Sequence, residues 1–428
     1  MLPCRTLRTT DPDFESRFRQ ISAAQEKVIA DVESVVRPIV QAVKEKGDAA
    51  LFAYTSRYDR VNLDAGSVRL SPAEIEAAAA SIAADDLHVL SQAAERIEIF
   101  HRRQLQHRLP GDDLRQEPVT EVSRPLQRVG LYVPGGKASY PSTVLMTAIP
   151  ARVAGVKEII MVSPDASPHV LAAATIAGVN RIYRVGGAQA VAALAYGTES
   201  IPRVDKIAGP GNRYVETAKR LLFGVVGLDM LAGPSEVLIL ADATAVPAFA
   251  AADFIAQAEH DQDAVAMIIT TSEPFLSAVA GEIQAQLKQT LRRDIAAAAI
   301  EQNGLLIYTP SMAQAVALAN RIAPEHLELM VSSPHEVLKD ITAAGAVFLG
   351  DFSPAAAGDY NAGPSHVLPT AGTARFFSPL GVGDFIRYMS VIDLSRSELI
   401  RLESGIRRLA RLEGLDAHAR AVEKRIHS

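Results

Sequence analysis

From Val129 onward short apolar runs alternate with helix-like stretches, and no other feature limits the possible folds as much. The runs at 130–133, 158–162, 181–185, 205–208 and 237–241 read as strands, and 142–154, 169–177, 188–196 and 213–223 as helices. Apolar strands separated by helices call for a parallel sheet covered on both faces, because a parallel connection has to cross over the sheet. The rhythm resumes after Pro247, with a helix to 257, a strand at 264–270, a helix at 274–291 and a strand at 305–308. Ser311 and Gln314 cap a further helix that ends at Ala323-Pro324; a helix at 336–341 and a strand at 346–349 follow. The expected class is α/β, with two Rossmann-like parallel-sheet domains and helical N- and C-terminal extensions. No clean internal repeat is visible in the residues.

The flanks read as helical. Ser22 and Gln25 have capping-box spacing ahead of Val28, Val32, Val35, Ile39 and Val43, with Pro38 expected to kink or break the helix and Gly47 to stop it. Ser71-Pro72-Ala73-Glu74 opens an alanine-rich helix running to about Arg102. Near the end, Ser395 and Glu398 form another capping box, Leu399, Leu402, Ile406 and Leu409 a narrow apolar stripe, and Gly414 a stop. That stripe suits docking on a partner subunit or folding back on its own chain.

A net charge of −6 without a long basic run argues against nucleic acid or an anionic membrane as the main partner. No apolar run reaches transmembrane length and no signal pattern is present, so a cytoplasmic protein is expected. Cys4 is the sole cysteine among 428 residues, which excludes an intrachain disulfide and a cysteine-based metal cluster. It also leaves the body of the chain without the thiol that commonly attacks aldehydes.

Several polar groups stand out in apolar or glycine-rich surroundings. Gln257 and His260 lie three apart on a helix, so both can face one metal ion or polar substrate. Glu325 and His326, after Pro324, can line one cleft as an acid–base pair, or face solvent at a helix end. Asp359 stands among small residues that leave room for a ligand or an Asx turn. Glu413 and His418 lie in the tail, Ser235 in a turn, and His366 reads as structural. Three glycine loops follow strands and precede helices: Pro134-Gly135-Gly136, Gly186-Gly187-Ala188-Gln189 and Gly209-Pro210-Gly211-Asn212. Such loops let the backbone approach a phosphate, although none is a strict G-x-G-x-x-G. Ligands bind outside the carboxyl ends of such strands, which makes Tyr132, Gln189 and Asn212 candidate nucleotide contacts.

These motifs, together with Ala232-Gly233-Pro234-Ser235-Glu236, His366-Val367-Leu368-Pro369-Thr370 and Glu413-Gly414-Leu415-Asp416-Ala417-His418, stand in the order found in histidinol dehydrogenases, and the chain resembles that family over nearly its whole length. The resemblance implies NAD-dependent oxidation of L-histidinol to L-histidine through L-histidinal, the last two steps of histidine biosynthesis. The alternative is a relative acting on another polar alcohol. It implies one zinc ion per subunit, held by Gln257, His260, Asp359 and His418, with catalysis by Glu325 and His326. Substrate would meet Ser235, Gln257, His260, His326, Asp359, Glu413 and His418; NAD would meet Tyr132, Gln189 and Asn212. It further implies a homodimer in which the tail completes the partner's site. The expected division is an extension at 1–20, a substrate and metal domain at 21–128 and 237–378, an NAD-binding domain at 129–236, and a helical, dimer-docking tail at 379–428.

Overall fold

A computed structural model describes residues 4–19, 32–106, 118–135 and 139–426. Ser22, Gln25, Val28 and Gly136, which carry part of the sequence reading, lie outside the described residues. The chain divides into two compact units, one spanning Met1–Leu105 with Leu126–Phe385 and the other Gln106–Pro125 with Ile386–Ser428.

Thirteen strands occur among the described residues: β1 (Arg5–Arg8), β2 (Val119–Pro125), β3 (Arg128–Tyr132), β4 (Glu158–Val162), β5 (Arg181–Tyr183), β6 (Lys206–Ala208), β7 (Gly227–Leu228), β8 (Glu236–Ala241), β9 (Val265–Thr270), β10 (Leu305–Tyr308), β11 (His326–Met330), β12 (Ala346–Leu349) and β13 (Ile386–Ile392). The larger unit holds two parallel sheets, ordered β5-β4-β3-β6-β7 and β1-β10-β9-β8-β11-β12. In each, the first strand of a consecutive set of five is central, the next two add on one side and the last two on the other. The repetition that the residues hide is therefore present in the topology, with β1 as an added edge strand.

Strand alternation assigns the core of the second sheet. Val237, Ile239, Ala266, Ile268 and Leu306 pack with Phe254, Val279 and Ile283 on one face. Leu238, Leu240, Met267, Ile269, Leu327 and Leu329 pack with Val316 and Leu318 on the other. Each large side chain withdrawn from water contributes ~1.5–3 kcal/mol, and a one-residue slip would exchange the faces, so the register is fixed.

Several expectations change in detail. The helix Glu33–Lys46 runs through Pro38 without a break. The stretch after Ser71 forms two helices, Pro72–Ala80 and Ala84–Gln106, parted where the Ser81 hydroxyl donates to the Ala78 carbonyl. The helix expected at 274–291 is Glu273–Leu287, capped by Ser272, and a second helix follows at Arg293–Asn303. β11 is a central strand that the sequence reading left out.

In the smaller unit β2 and β13 form an antiparallel ribbon, followed by helices Arg396–Leu412 and Asp416–Ile426. The extensions thus carry strands besides helices. The Ser395–Glu398 capping box is present, and Glu423 joins the two helices through Arg407 at 2.6 Å and Arg411 at 3.0 Å. Leu402 and Leu409 of the apolar stripe are exposed, and Leu399 and Ile406 half-buried.

Candidate active site

Glu325 and His326 lie at the amino end of β11, beside the amino end of β8. Ligands of such sheets usually bind at the carboxyl ends of strands. Here the candidate catalytic pair sits at the opposite edge, where the segment leaving β7 enters β8.

The pair is buried and held in place. Glu325 Oε2 accepts the Glu236 N–H at 2.8 Å. His326 Nδ1 donates to the Glu236 carbonyl at 3.1 Å and lies 3.5 Å from Glu325 Oε2. His326 Nε2 stands 3.3 Å from Asp359 Oδ1. Burial opposes charge on His326, but the two carboxylates outweigh it and raise the imidazole well above its ordinary range. Burial also works against the Asp359 carboxylate, yet the hydrogen bond from His326 and the charge of that ring hold it below the usual value.

Asp359 reaches His326 because Gly358 precedes it. A Cβ at Gly358 would come 2.8 Å from the Phe348 ring, which stacks on His326 with centroids 5.9 Å apart. Glu328, two residues after His326, accepts the Ala355 N–H at 2.8 Å and so anchors the start of the helix Ala355–Tyr360 that carries Asp359. His366 donates through Nδ1 to the Asp359 carbonyl at 2.9 Å and accepts from the Thr143 hydroxyl at 3.1 Å. Burial holds His366 below its ordinary pKa, so a neutral ring used on both sides is structural, as its sequence setting indicates.

Gln257 ends the helix Pro247–Ala258, which packs against the helix of Asp359. It is buried, and among the described residues its amide nitrogen meets no hydrogen-bond partner. Since amide oxygen and nitrogen are interchangeable by a flip, the oxygen could equally take that position, where a cation would satisfy it. His260 donates through Nδ1 to the Ala256 carbonyl at 3.0 Å, which leaves Nε2 with its lone pair, the usual arrangement of a metal-binding histidine. The donor set therefore fits a divalent cation; lacking sulfur, it suits zinc and also cobalt or manganese. Among the described residues no three His, Cys, Asp or Glu side chains gather as a metal site. His260 and Asp359 are two donors, the Gln257 amide is of another type, and His418 belongs to the other unit, where it is exposed on the helix Asp416–Ile426. Glu413 caps the helix before it and is exposed too.

The first sheet brings the candidate nucleotide contacts to its carboxyl edge. Tyr132 ends β3, is buried, and accepts the Gly187 N–H on its hydroxyl at 3.1 Å. Burial pushes that phenol up to about 12. Gln189 follows in the helix Gly187–Tyr196 and donates to Asp59 at 3.3 Å. Asn212 caps the helix Arg213–Leu222, accepting from Tyr214 N and Val215 N at 3.0 and 3.2 Å. Ser235 directly precedes β8, and its carbonyl accepts from Val265 N at 2.9 Å.

Sequence reasoning passed over the buried acids behind these residues. Burial and the Glu325 charge push Glu236 up to about 8, and burial with Asp253 does the same for Glu328. A glutamate inside an apolar strand was the available signal in both cases. Cys4 is buried, and burial pushes its thiol up to about 11, so it is no thiolate nucleophile.

The family described as histidinol dehydrogenase matches residues 22–426. The histidinol dehydrogenase of Geobacter metallireducens is 50% identical over 421 residues, covering 97% of this chain and 97% of that protein. The chain belongs to the histidinol dehydrogenase family. A Rhodopseudomonas palustris histidinol dehydrogenase is 48% identical over 434 residues, with 100% of each chain covered. The crystal structure of histidinol dehydrogenase from Elizabethkingia anophelis matches with a TM-score of 0.89 at 35% identity, covering 100% of this chain and 99% of that one. The resemblance read from the sequence, the α/β class and the enzyme class are all borne out. Among the described residues no helix is long and apolar enough to cross a membrane.

Proposed function

We propose that this chain oxidises L-histidinol to L-histidine through L-histidinal, using one NAD+ in each step. The observation that carries the reading is the buried Glu325–His326–Asp359 contact beside a buried, unpartnered Gln257 amide, in a chain of this family.

Tyr132, Gln189 and Asn212 would hold NAD+, which would supply a hydride acceptor, one molecule for each of the two hydrides that leave the substrate carbon. A zinc ion at Gln257, His260, Asp359 and His418 would hold the substrate's amine and imidazole, which keeps the aldehyde in place between steps. His326 in its neutral form, with its Nδ1–H on the Glu236 carbonyl and Nε2 free of a proton, takes the proton of the alcohol and passes it to solvent before the second step. No thiol is available to form a tetrahedral centre, so water adds to the aldehyde. Glu325, fixed through Oε2 by the Glu236 N–H, takes the proton of that water. His326 then takes the proton of the hydrate as the second hydride departs. Ser235 and Glu413 orient the substrate. The tail bearing Glu413 and His418 completes the site of a second copy, and the metal-binding half comprises 21–128 with 237–378 while 129–236 binds the nucleotide.

Purified protein supplied with zinc, L-histidinol and NAD+ should form two NADH for each histidine. Absence of NADH would refute the proposal. Turnover of other polar alcohols but not of histidinol would move the assignment to a different substrate.

A further inference from the structure

Beneath the cofactor loop lies a buried ionic cluster that the chemistry above does not use. Lys219 is wholly buried, with Nζ 2.8 Å from Asp229 Oδ1 and 3.6 Å from Glu216 Oε1, and it donates to the Gly209 carbonyl at 3.1 Å. Asp229 Oδ2 accepts the Gly209 N–H at 2.7 Å. The two oxygens of Glu216 are divided. Oε1 accepts the Gly211 N–H at 3.0 Å, in the loop that ends at Asn212, and Oε2 accepts the Ala232 N–H at 2.8 Å, in the segment that ends at Ser235.

A buried ion cluster is not a way to gain stability, since apolar residues of similar volume do as well or better. What this one does is fix two loops to a single rigid group. Both oxygens of this carboxyl group are committed to backbone donors. Displacement of either loop strands a buried N–H or pulls the carboxylate with it. The loop backbone runs close to the end of β3, since a Cβ added at Gly209 would lie 2.3 Å from the Tyr132 carbonyl oxygen.

We propose that Glu216 is a positioning residue that couples the cofactor loop 209–212 to the substrate segment 232–235, so that the dinucleotide and the amino-alcohol substrate each favour binding of the other. The proposal rests on the assignment of Asn212 to NAD and Ser235 to substrate. The linkage is reciprocal by thermodynamic necessity.

The test is titration of the full-length zinc enzyme with NADH, with and without saturating L-histidinol, a pair that cannot react forward. In the unaltered enzyme histidinol should tighten NADH binding by about fivefold or more, the lower range of common coupling. Glu216→Gln keeps shape but puts an amide nitrogen, which cannot accept, against one of the two backbone donors. The factor should fall toward one while each ligand still binds alone. A residue that serves only stability would lower the melting temperature and leave the factor intact, which would overturn the proposal, as would a factor of one in the unaltered enzyme. Should the variant not fold, hydrogen exchange on the unaltered enzyme decides: NADH alone should protect 232–235 along with 209–212, and protection confined to 209–212 contradicts the coupling. Turnover of histidinol by the unaltered enzyme separately checks the proposed function, and weaker NADH binding by Asn212→Ala with weaker histidinol binding by Ser235→Ala checks the two assignments, so the failures are distinguishable.

Discussion

Replacing Gly209 by alanine probes the cofactor loop at its tightest point. Gly209 has φ of 109°, a conformation that costs an L-residue about 1–3 kcal/mol. The added Cβ would start 2.3 Å from the Tyr132 carbonyl oxygen, where real contacts stay beyond 3.0 Å, so the loop must retreat by 3.0 − 2.3 = 0.7 Å or more. The neighbour is backbone within a central strand and cannot swing aside. Retreat stretches the bonds of Gly209 to Asp229 and Lys219, and a hydrogen bond to a charged group contributes ~1.5–3 kcal/mol. With the strain, loss of both bonds totals about 4–9 kcal/mol, a large share of the ~5–15 kcal/mol that holds a domain folded. Urea denaturation should show a clear loss of stability, and the folded fraction should bind NADH at least ~10-fold more weakly, the effect of ~1.4 kcal/mol. Gly224→Ala is the control, because Gly224 has φ of 88° but nothing within 4 Å of the place its methyl would occupy. It should suffer the strain alone and leave NADH binding intact. A Gly209→Ala protein with parental stability and NADH affinity would refute the argument.

Glu236 holds its proton up to about 8 in the folded chain against 4.5 when unfolded, so between those values the unfolded state binds fewer protons and stability falls as pH rises. Glu236→Gln does not titrate there, and its stability relative to the parent should improve from pH 5 to pH 8, by ~4 kcal/mol at most at ~1.4 kcal/mol per unit; a pH-independent difference would contradict a buried neutral acid. His326→Asn should abolish turnover and leave the denaturation curve close to the parent's, whereas loss of the folded state would make His326 structural. Glu325→Gln should slow the histidinal step more than the histidinol step, and equal losses, assayed with each substrate separately, would contradict its role in activating water. Gln257→Ala should weaken zinc retention during dialysis against chelator at least ~10-fold, as removal of a ligand does, and unchanged retention would exclude the amide as a donor.

Much of this fold was legible because most strands are buried on both faces and several helices carry side-chain caps. Strands 158–162, 305–308 and 346–349 have the expected limits, and the caps at Ser71, Ser311 and Ser395 are formed. β11 was hidden by its own chemistry. His326-Leu327-Glu328-Leu329-Met330 looks too polar for a central strand until burial is seen to keep the Glu328 carboxyl protonated up to about 8. Gln257, His260, Glu325, His326 and Asp359 were legible as polar residues in apolar surroundings. Glu216, Lys219 and Asp229 were not, because on paper they are ordinary charges of a helix and a turn; only the folded chain puts them under one loop. Nothing in the sequence told at which end of the second sheet Glu325 and His326 stand; they occupy the amino end of β11, opposite to the general rule.

The most direct test is the position of the metal in crystals of the zinc-loaded protein, located by anomalous scattering at the zinc edge. One peak per chain should lie within bonding distance, ~2.0–2.2 Å, of Gln257, His260 and Asp359, with His418 of either copy as the fourth donor and His326 close by. A peak elsewhere, or these side chains dispersed around no common centre, would contradict the account.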